Sequence, residues 1–136
     1  MIVLNVILNQ MPSLTNFFLI IISALGSIIG NSLFRLGLKK TGIESLEPSY
    51  LIKNFFSVVF QPLTFAGFIV FGISAVIWLR VLTAEPLSKT YPILVGFVII
   101  FIIISSIFVL REPLSLTRIA GMALIAAGTA LVFLKG

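Results

Sequence analysis

Apolar positions in this chain fall into four long blocks: Leu14 to Phe34, Leu63 to Leu79, Thr90 to Leu110 and Ile119 to Leu134. None of the four contains an aspartate, glutamate, lysine or arginine. At about 1.5 Å of rise per residue, each block covers most or all of a hydrocarbon core about 30 Å thick. A backbone in such a core must satisfy its own polar groups, and runs of this length without strand-like alternation do so as helices. The pattern predicts an all-α membrane protein with four transmembrane helices. It also predicts a single domain over residues 1–136, because three connections among four spans leave no room for a second core.

Between the first and second blocks the pattern changes. From Tyr50 to Gln61, Lys53, Asn54 and Ser57 alternate with Leu51, Phe55, Val58 and Val59. This predicts a short amphipathic helix in the headgroup region, or an extension of the second span. The stretch Met1 to Met11 is apolar but has no Lys or Arg ahead of its hydrophobic run, unlike a cleaved signal peptide. It reads as an interfacial lead-in ending at Pro12.

Two hexapeptides agree at five positions: Glu85-Pro86-Leu87-Ser88-Lys89-Thr90 and Glu112-Pro113-Leu114-Ser115-Leu116-Thr117. Proline suits the first turn of a helix, Ser or Thr beside it can cap free N–H groups, and a preceding acid complements the positive helix end. A shared helix-start requirement accounts for the match more simply than an internal repeat.

Charge adds an orientation. The first and third connections hold Arg35, Lys39, Lys40, Lys53, Arg111 and Arg118, whereas the other face has Arg80, Lys89 and Lys135. The excess predicts that those two connections are cytoplasmic and that both termini face outward. Trp78 and Tyr91 fall on the face of Arg80 and Lys89, as belt aromatics do. The net charge of +5 is spread over span ends rather than gathered in one patch, which favours anionic lipid headgroups over nucleic acid.

Composition narrows the chemistry. With 60% hydrophobic residues the chain has too little polar surface for a soluble globule. It has no cysteine and no histidine, which removes disulfides, thiolate chemistry and most zinc or haem sites. All four acidic residues lie outside the spans, and no glycine-rich loop ends in Lys-Ser or Lys-Thr. No enzyme constellation and no cofactor is predicted; passive or ion-coupled transport is.

Two features inside the spans bear on that function. Ser23, Ser27 and Asn31 recur every four residues and Arg35 continues the line, so a polar stripe ending in a cation could border an aqueous groove. The same serines could equally bond their own backbone, with Asn31 bridging to a neighbouring helix. Arg35 and Arg80 could each simply snorkel to the interface. Small residues, Gly26 and Gly30 in the first span and Ala123, Ala126, Ala127 and Ala130 in the last, permit close helix packing, within one chain or across a dimer.

From Gly67 onward the sequence resembles the drug/metabolite transporter superfamily, in its EamA-like and small four-helix branches. The residues that carry the resemblance are Trp78-Leu79 and Leu82, Pro86-Leu87-Ser88, Tyr91-Pro92, Arg111-Glu112-Pro113-Leu114-Ser115, and Gly121 to Gly128. Gly30, Asn31 and Arg35 fit more loosely. Small multidrug resistance exporters carry a glutamate in their first helix, and the matching place here is Ser27. Without that carboxylate, cation and proton exchange is disfavoured. The other similar branch comprises the paired subunits that flip aminoarabinose linked to undecaprenyl phosphate, which also lack the acid.

The resemblance implies a multi-pass inner-membrane flippase for a polyprenyl-phosphate-linked sugar or a similar amphipathic anion, working as a homodimer or as a heterodimer with a similar four-helix chain. The candidate substrate-binding residues are Ser27, Asn31, Arg35, Trp78, Arg80, Lys89, Tyr91, Arg111 and Glu112; Arg80 stands outside the shared pattern and is included as a cation at the membrane face. Two alternatives stand beside it: an exporter of small cations or metabolites, and a non-transporting accessory subunit of a membrane glycosyltransferase.

Overall fold

The computed structural model describes residues 12–41, 48–113 and 115–135. The expected lead-in at Met1 to Met11 lies outside them. The described residues form five helices and no strand. They are α1 (Leu14–Thr41), α2 (Pro48–Val59), α3 (Pro62–Leu82), α4 (Leu87–Phe108) and α5 (Leu116–Lys135). Three of them, α1, α3 and α4, are long and apolar enough to cross a membrane, while α5 has a shorter apolar stretch, Leu116–Val132.

The helix starts follow local chemistry. Ser13 caps α1, its Oγ accepting from the Asn16 amide at 3.3 Å. Gln61, in extended conformation, caps α3 by accepting from the Thr64 amide at 2.8 Å, and Pro62 takes the first helical position. The two matching hexapeptides differ in register. In the first, Pro86 is itself the cap of α4 and has no side-chain cap bond. In the second, the Ser115 hydroxyl accepts from the Arg118 amide at 3.3 Å to cap α5.

The helix ends differ from the expected blocks. Helix α1 runs past Phe34 to Thr41 with Lys39 and Lys40 in its last turn, where basic side chains suit a helix C-terminus. Helix α3 extends the second block to Pro62–Leu82, α4 starts at Leu87 rather than Thr90 and ends at Phe108 with Pro92 inside it, and α5 runs from Leu116 to Lys135.

In space the order is α3, α1, α4, α5, with α2 touching α1 and α3. The α1–α3 seam is the tightest. A β-carbon added at Gly67 would fall 3.0 Å from the Gly30 carbonyl oxygen, and one at Gly30 would fall 3.1 Å from the Gly67 carbonyl oxygen. The two backbones meet at this crossing, as small residues permit where lipid supplies no hydrophobic drive. Further along the seam, Ser23 and Ser74 exchange hydrogen bonds: Ser23 Oγ donates to the Ser74 carbonyl at 2.9 Å and Ser74 Oγ to the Ser23 carbonyl at 2.5 Å. Each such bond contributes about 0.6 kcal/mol between membrane helices. Gly26 and Gly30 thus pack within the chain. In contrast, α5 packs chiefly on α4 among the described residues, and nothing lies within 4 Å of a β-carbon added at Gly121 or Gly128.

Candidate functional site

The seam between α1 and α4 opens at one end into a groove of about 340 Å³. Its α1 wall carries Ile28, Asn31, Ser32, Phe34, Arg35 and Leu38; its α4 wall carries Ile102, Ser105 and Ser106. The helices are joined beneath it by the Ser32 and Ser105 hydroxyls, 2.6 Å apart, and Ser32 Oγ also lies 2.7 Å from the Ile28 carbonyl. Asn31 and Arg35 are exposed at the groove's edge.

Arg35 meets Glu112, whose Oε1 lies against the guanidinium Nε. That oxygen is buried yet has no aligned hydrogen bond, so the contact is a charge pair approached off the N–H axis. The turn after α4 brings Glu112 there. Arg111 adopts φ 51°, a left-handed conformation unusual for a side chain of this kind. The Leu110 amide then bonds the Ser105 carbonyl and the Glu112 amide the Ser106 carbonyl, both at 2.9 Å. The αL turn folds the chain back under α1.

At the opposite end of the bundle a second acid is held differently. Glu85 Oε1 accepts from the Ser13 amide at 3.0 Å and from Asn16 Nδ2 at 3.1 Å, while Oε2 accepts from Lys89 Nζ at 3.1 Å. The Ser13 amide, then Asn16, then Lys89 hold its carboxyl below the usual carboxylate range, against a smaller opposing effect of burial. Nearby, the Trp78 and Tyr91 rings lie 6.3 Å apart, and Arg80 Nη1 donates to Thr83 Oγ1 at 3.2 Å.

The nine residues singled out from the sequence therefore divide. Asn31, Arg35 and Glu112 meet at the groove, and Arg111 forms the turn that places Glu112. Trp78, Arg80, Lys89 and Tyr91 belong to the other end, where Lys89 is engaged by Glu85 and Arg80 by its own helix end. Ser27 is half-buried and does not line the groove.

The four-residue stripe splits for a geometric reason. Four residues turn an α-helix by about 400°, so each step drifts about 40° and the line from Ser23 to Arg35 winds by roughly 120°. Ser23 faces α3, and Asn31 and Arg35 reach the α4 side. Sequence reasoning missed Ser32, Ser105 and Ser106 as site residues. The available signal was the adjacent serine pair that directly follows the apolar stretch Ile99 to Ile104.

Comparison with known proteins adds a lineage. The chain is 32% identical over 121 residues to the uncharacterized protein y4nH of Sinorhizobium fredii, covering 89% of this chain and 93% of that protein. The chain belongs to the y4nH family. It is also 38% identical over 61 residues to a probable 4-amino-4-deoxy-L-arabinose-phosphoundecaprenol flippase subunit, ArnE, of Erwinia tasmaniensis. That match covers 45% of this chain and 56% of the flippase subunit. No family model and no solved structure matches. Three strongly apolar helices mark the chain as a small membrane protein, and part of it is similar to a flippase subunit.

Proposed function

We propose that this chain is a subunit of a small inner-membrane flippase that carries a polyprenyl-phosphate-linked sugar, or a similar amphipathic anion, between leaflets. The observation that carries the reading is the α1–α4 groove: one exposed guanidinium and a set of hydroxyls beside lipid-facing helices, with no carboxylate inside any span. A guanidinium binds phosphate oxygens through a planar fork of donors, and hydroxyls suit a sugar. An apolar groove holding a cation would need a buried acid, and Ser27 stands where exporters of cations have one. The likeness to a flippase subunit supports the same choice.

In this reading α5 is the fourth span, and the α2–α3 side of the bundle and the Arg111 turn are cytoplasmic. The uncovered side of α5, with Gly121, Ala123, Ala127 and Gly128, receives a second chain, either a copy or a similar four-helix partner. Arg35 and Asn31 take the phosphate, and Ser32, Ser105 and Ser106 face the polar head.

The test is reconstitution of the chain, with its partner where one co-purifies, into vesicles containing a fluorescent short-chain polyprenyl-phosphate sugar. Exposure of the probe to an external quencher reads flipping. Arg35→Ala lowers the rate by at least about tenfold, the loss of one charge-assisted phosphate contact. Unchanged flipping in Arg35→Ala would refute the assignment, and proton-coupled uptake of a quaternary ammonium ion by the chain alone would replace it with the exporter reading. Stable co-purification with a glycosyltransferase and no flux would favour the accessory role.

A further inference from the structure

We propose that Glu112 is a built-in stand-in for the ligand's anion: it occupies Arg35 in the empty groove, and an organic phosphate binds by displacing it. The inference rests on the groove being the anion site, and adds what fills that site at rest and what must leave.

Three observations converge on Glu112. Its Oε1 is buried but gains no aligned hydrogen bond from Arg35, so the carboxylate loses water without full compensation. It is delivered by Arg111 at φ 51°, a conformation that is unfavourable for a non-glycine residue and persists only where its surroundings enforce it. Its contact engages Nε, while the arginine side chain remains 56% exposed beside the groove. A guanidinium has five N–H donors, so a phosphate can approach through those that Glu112 leaves free and then take the Nε side from it.

The neighbouring groups match a phosphate better than they match a carboxylate. The Asn31 amide and the Ser106 hydroxyl line the same groove, and neither makes a side-chain hydrogen bond among the described residues. A phosphate brings more acceptor oxygens than a carboxylate and can take Arg35 in bidentate fashion with Asn31 and Ser106 as further donors. Its arrival frees the Glu112 side chain, already 21% exposed, to turn toward water with the Leu110 to Pro113 segment. The other end of α1 shows what a permanent clasp looks like: Glu85 is engaged on both oxygens by three donors. Among the described residues Glu112 has one misaligned partner.

The experiment uses the full chain in phosphatidylcholine nanodiscs and measures equilibrium binding of fluorescent farnesyl phosphate, with inorganic phosphate as competitor. Glu112→Gln tightens binding about tenfold, because the resident charge is gone while the shape is kept. Glu112→Asp, which keeps the charge but shortens the reach, tightens it by a smaller factor and serves if the glutamine variant fails to fold. Arg35→Gln removes binding in both the wild-type and Glu112→Gln backgrounds. If Glu112→Gln and Glu112→Asp bind no more tightly than wild type while Arg35→Gln still abolishes binding, the stand-in role is overturned and the anion site survives. If Arg35→Gln binds like wild type, the site and the proposed function fall together. Competition by inorganic phosphate at probe-like concentrations assigns the site to free phosphate, and competition only at far higher concentrations assigns it to a lipid headgroup; either result, with the glutamine gain, supports the exchange.

Discussion

The two ends of α1 are each held by a glutamate from a Glu-Pro-Leu-Ser sequence, and they are held in opposite ways. At the Ser13 end, Glu85 joins the α3–α4 connection to the start of α1 through a main-chain amide, an asparagine and a lysine. At the Arg35 end, Glu112 comes from the α4–α5 connection through a left-handed residue and meets a mostly exposed arginine off axis. Similar sequences thus make a closed corner and an open one. A carboxylate engaged on both oxygens makes a firm corner, and the spare acceptor capacity at the open corner lies beside the groove.

Both corners presuppose that α1 stays against α3, and the largest effect is expected there. Gly67→Leu drives a branched side chain into the Gly30 carbonyl and the Phe34 ring, forcing the backbones apart. Overpacking of this kind costs about 1–3 kcal/mol or more. Purified protein should show a strongly lowered unfolding midpoint or fail to fold, whereas Gly72→Leu, on the same helix but meeting open space, should leave the midpoint unchanged. Equal losses for both would mean that the Gly30–Gly67 crossing is not the tight point of the α1–α3 seam.

Next in size is Glu85→Gln, which removes the charge that Lys89 pairs with and weakens the bonds from Ser13 and Asn16. The wild-type corner also has a pH signature. Because the folded carboxyl is held below its ordinary value of 4.5, its contribution is complete above that value and is lost as pH falls through the lower folded value. The thermal midpoint of the wild type should therefore fall on acidification below pH 4.5, with a shallower fall in Glu85→Gln. Identical acid profiles would show that this corner does not contribute.

The smallest effect belongs to the floor of the groove. Ser105→Ala removes the hydroxyl that Ser32 meets, but Ser32 retains the Ile28 carbonyl. A loss of about 0.6 kcal/mol follows, the typical strength of an interhelical hydrogen bond in a membrane. Differential scanning fluorimetry should detect a slight shift, and a collapse would show that the groove is held open by this pair.

How much of this was legible in the chain follows from the nature of each signal. Charge-free runs are local, so the apolar bodies of the helices and a helix-start motif at Glu85-Pro86-Leu87-Ser88 could be read from adjacent residues, whereas the caps at Ser13 and Gln61 were not anticipated. Arg35 and Asn31 were legible as a polar line on one helix. Their partner Glu112 stood out only as part of a helix-start motif, because the contact spans two elements and depends on one backbone angle at Arg111. Trp78, Arg80, Lys89 and Tyr91 were grouped with them on charge and resemblance, though the antiparallel helices carry them to the other end.

The sequence alone determined that the helices are apolar, that their ionisable groups lie outside the expected spans, and that small residues occur where backbones could meet; transfer costs act on each residue separately, so order along the chain suffices to read them. Only the tertiary structure decided which glycines meet a neighbour, which of two alike glutamates is fully engaged, and which face of the winding polar line reaches α4. Those outcomes depend on helix rotation and on distances between residues remote in the chain, where a turn of 40° or a single left-handed residue changes every partner.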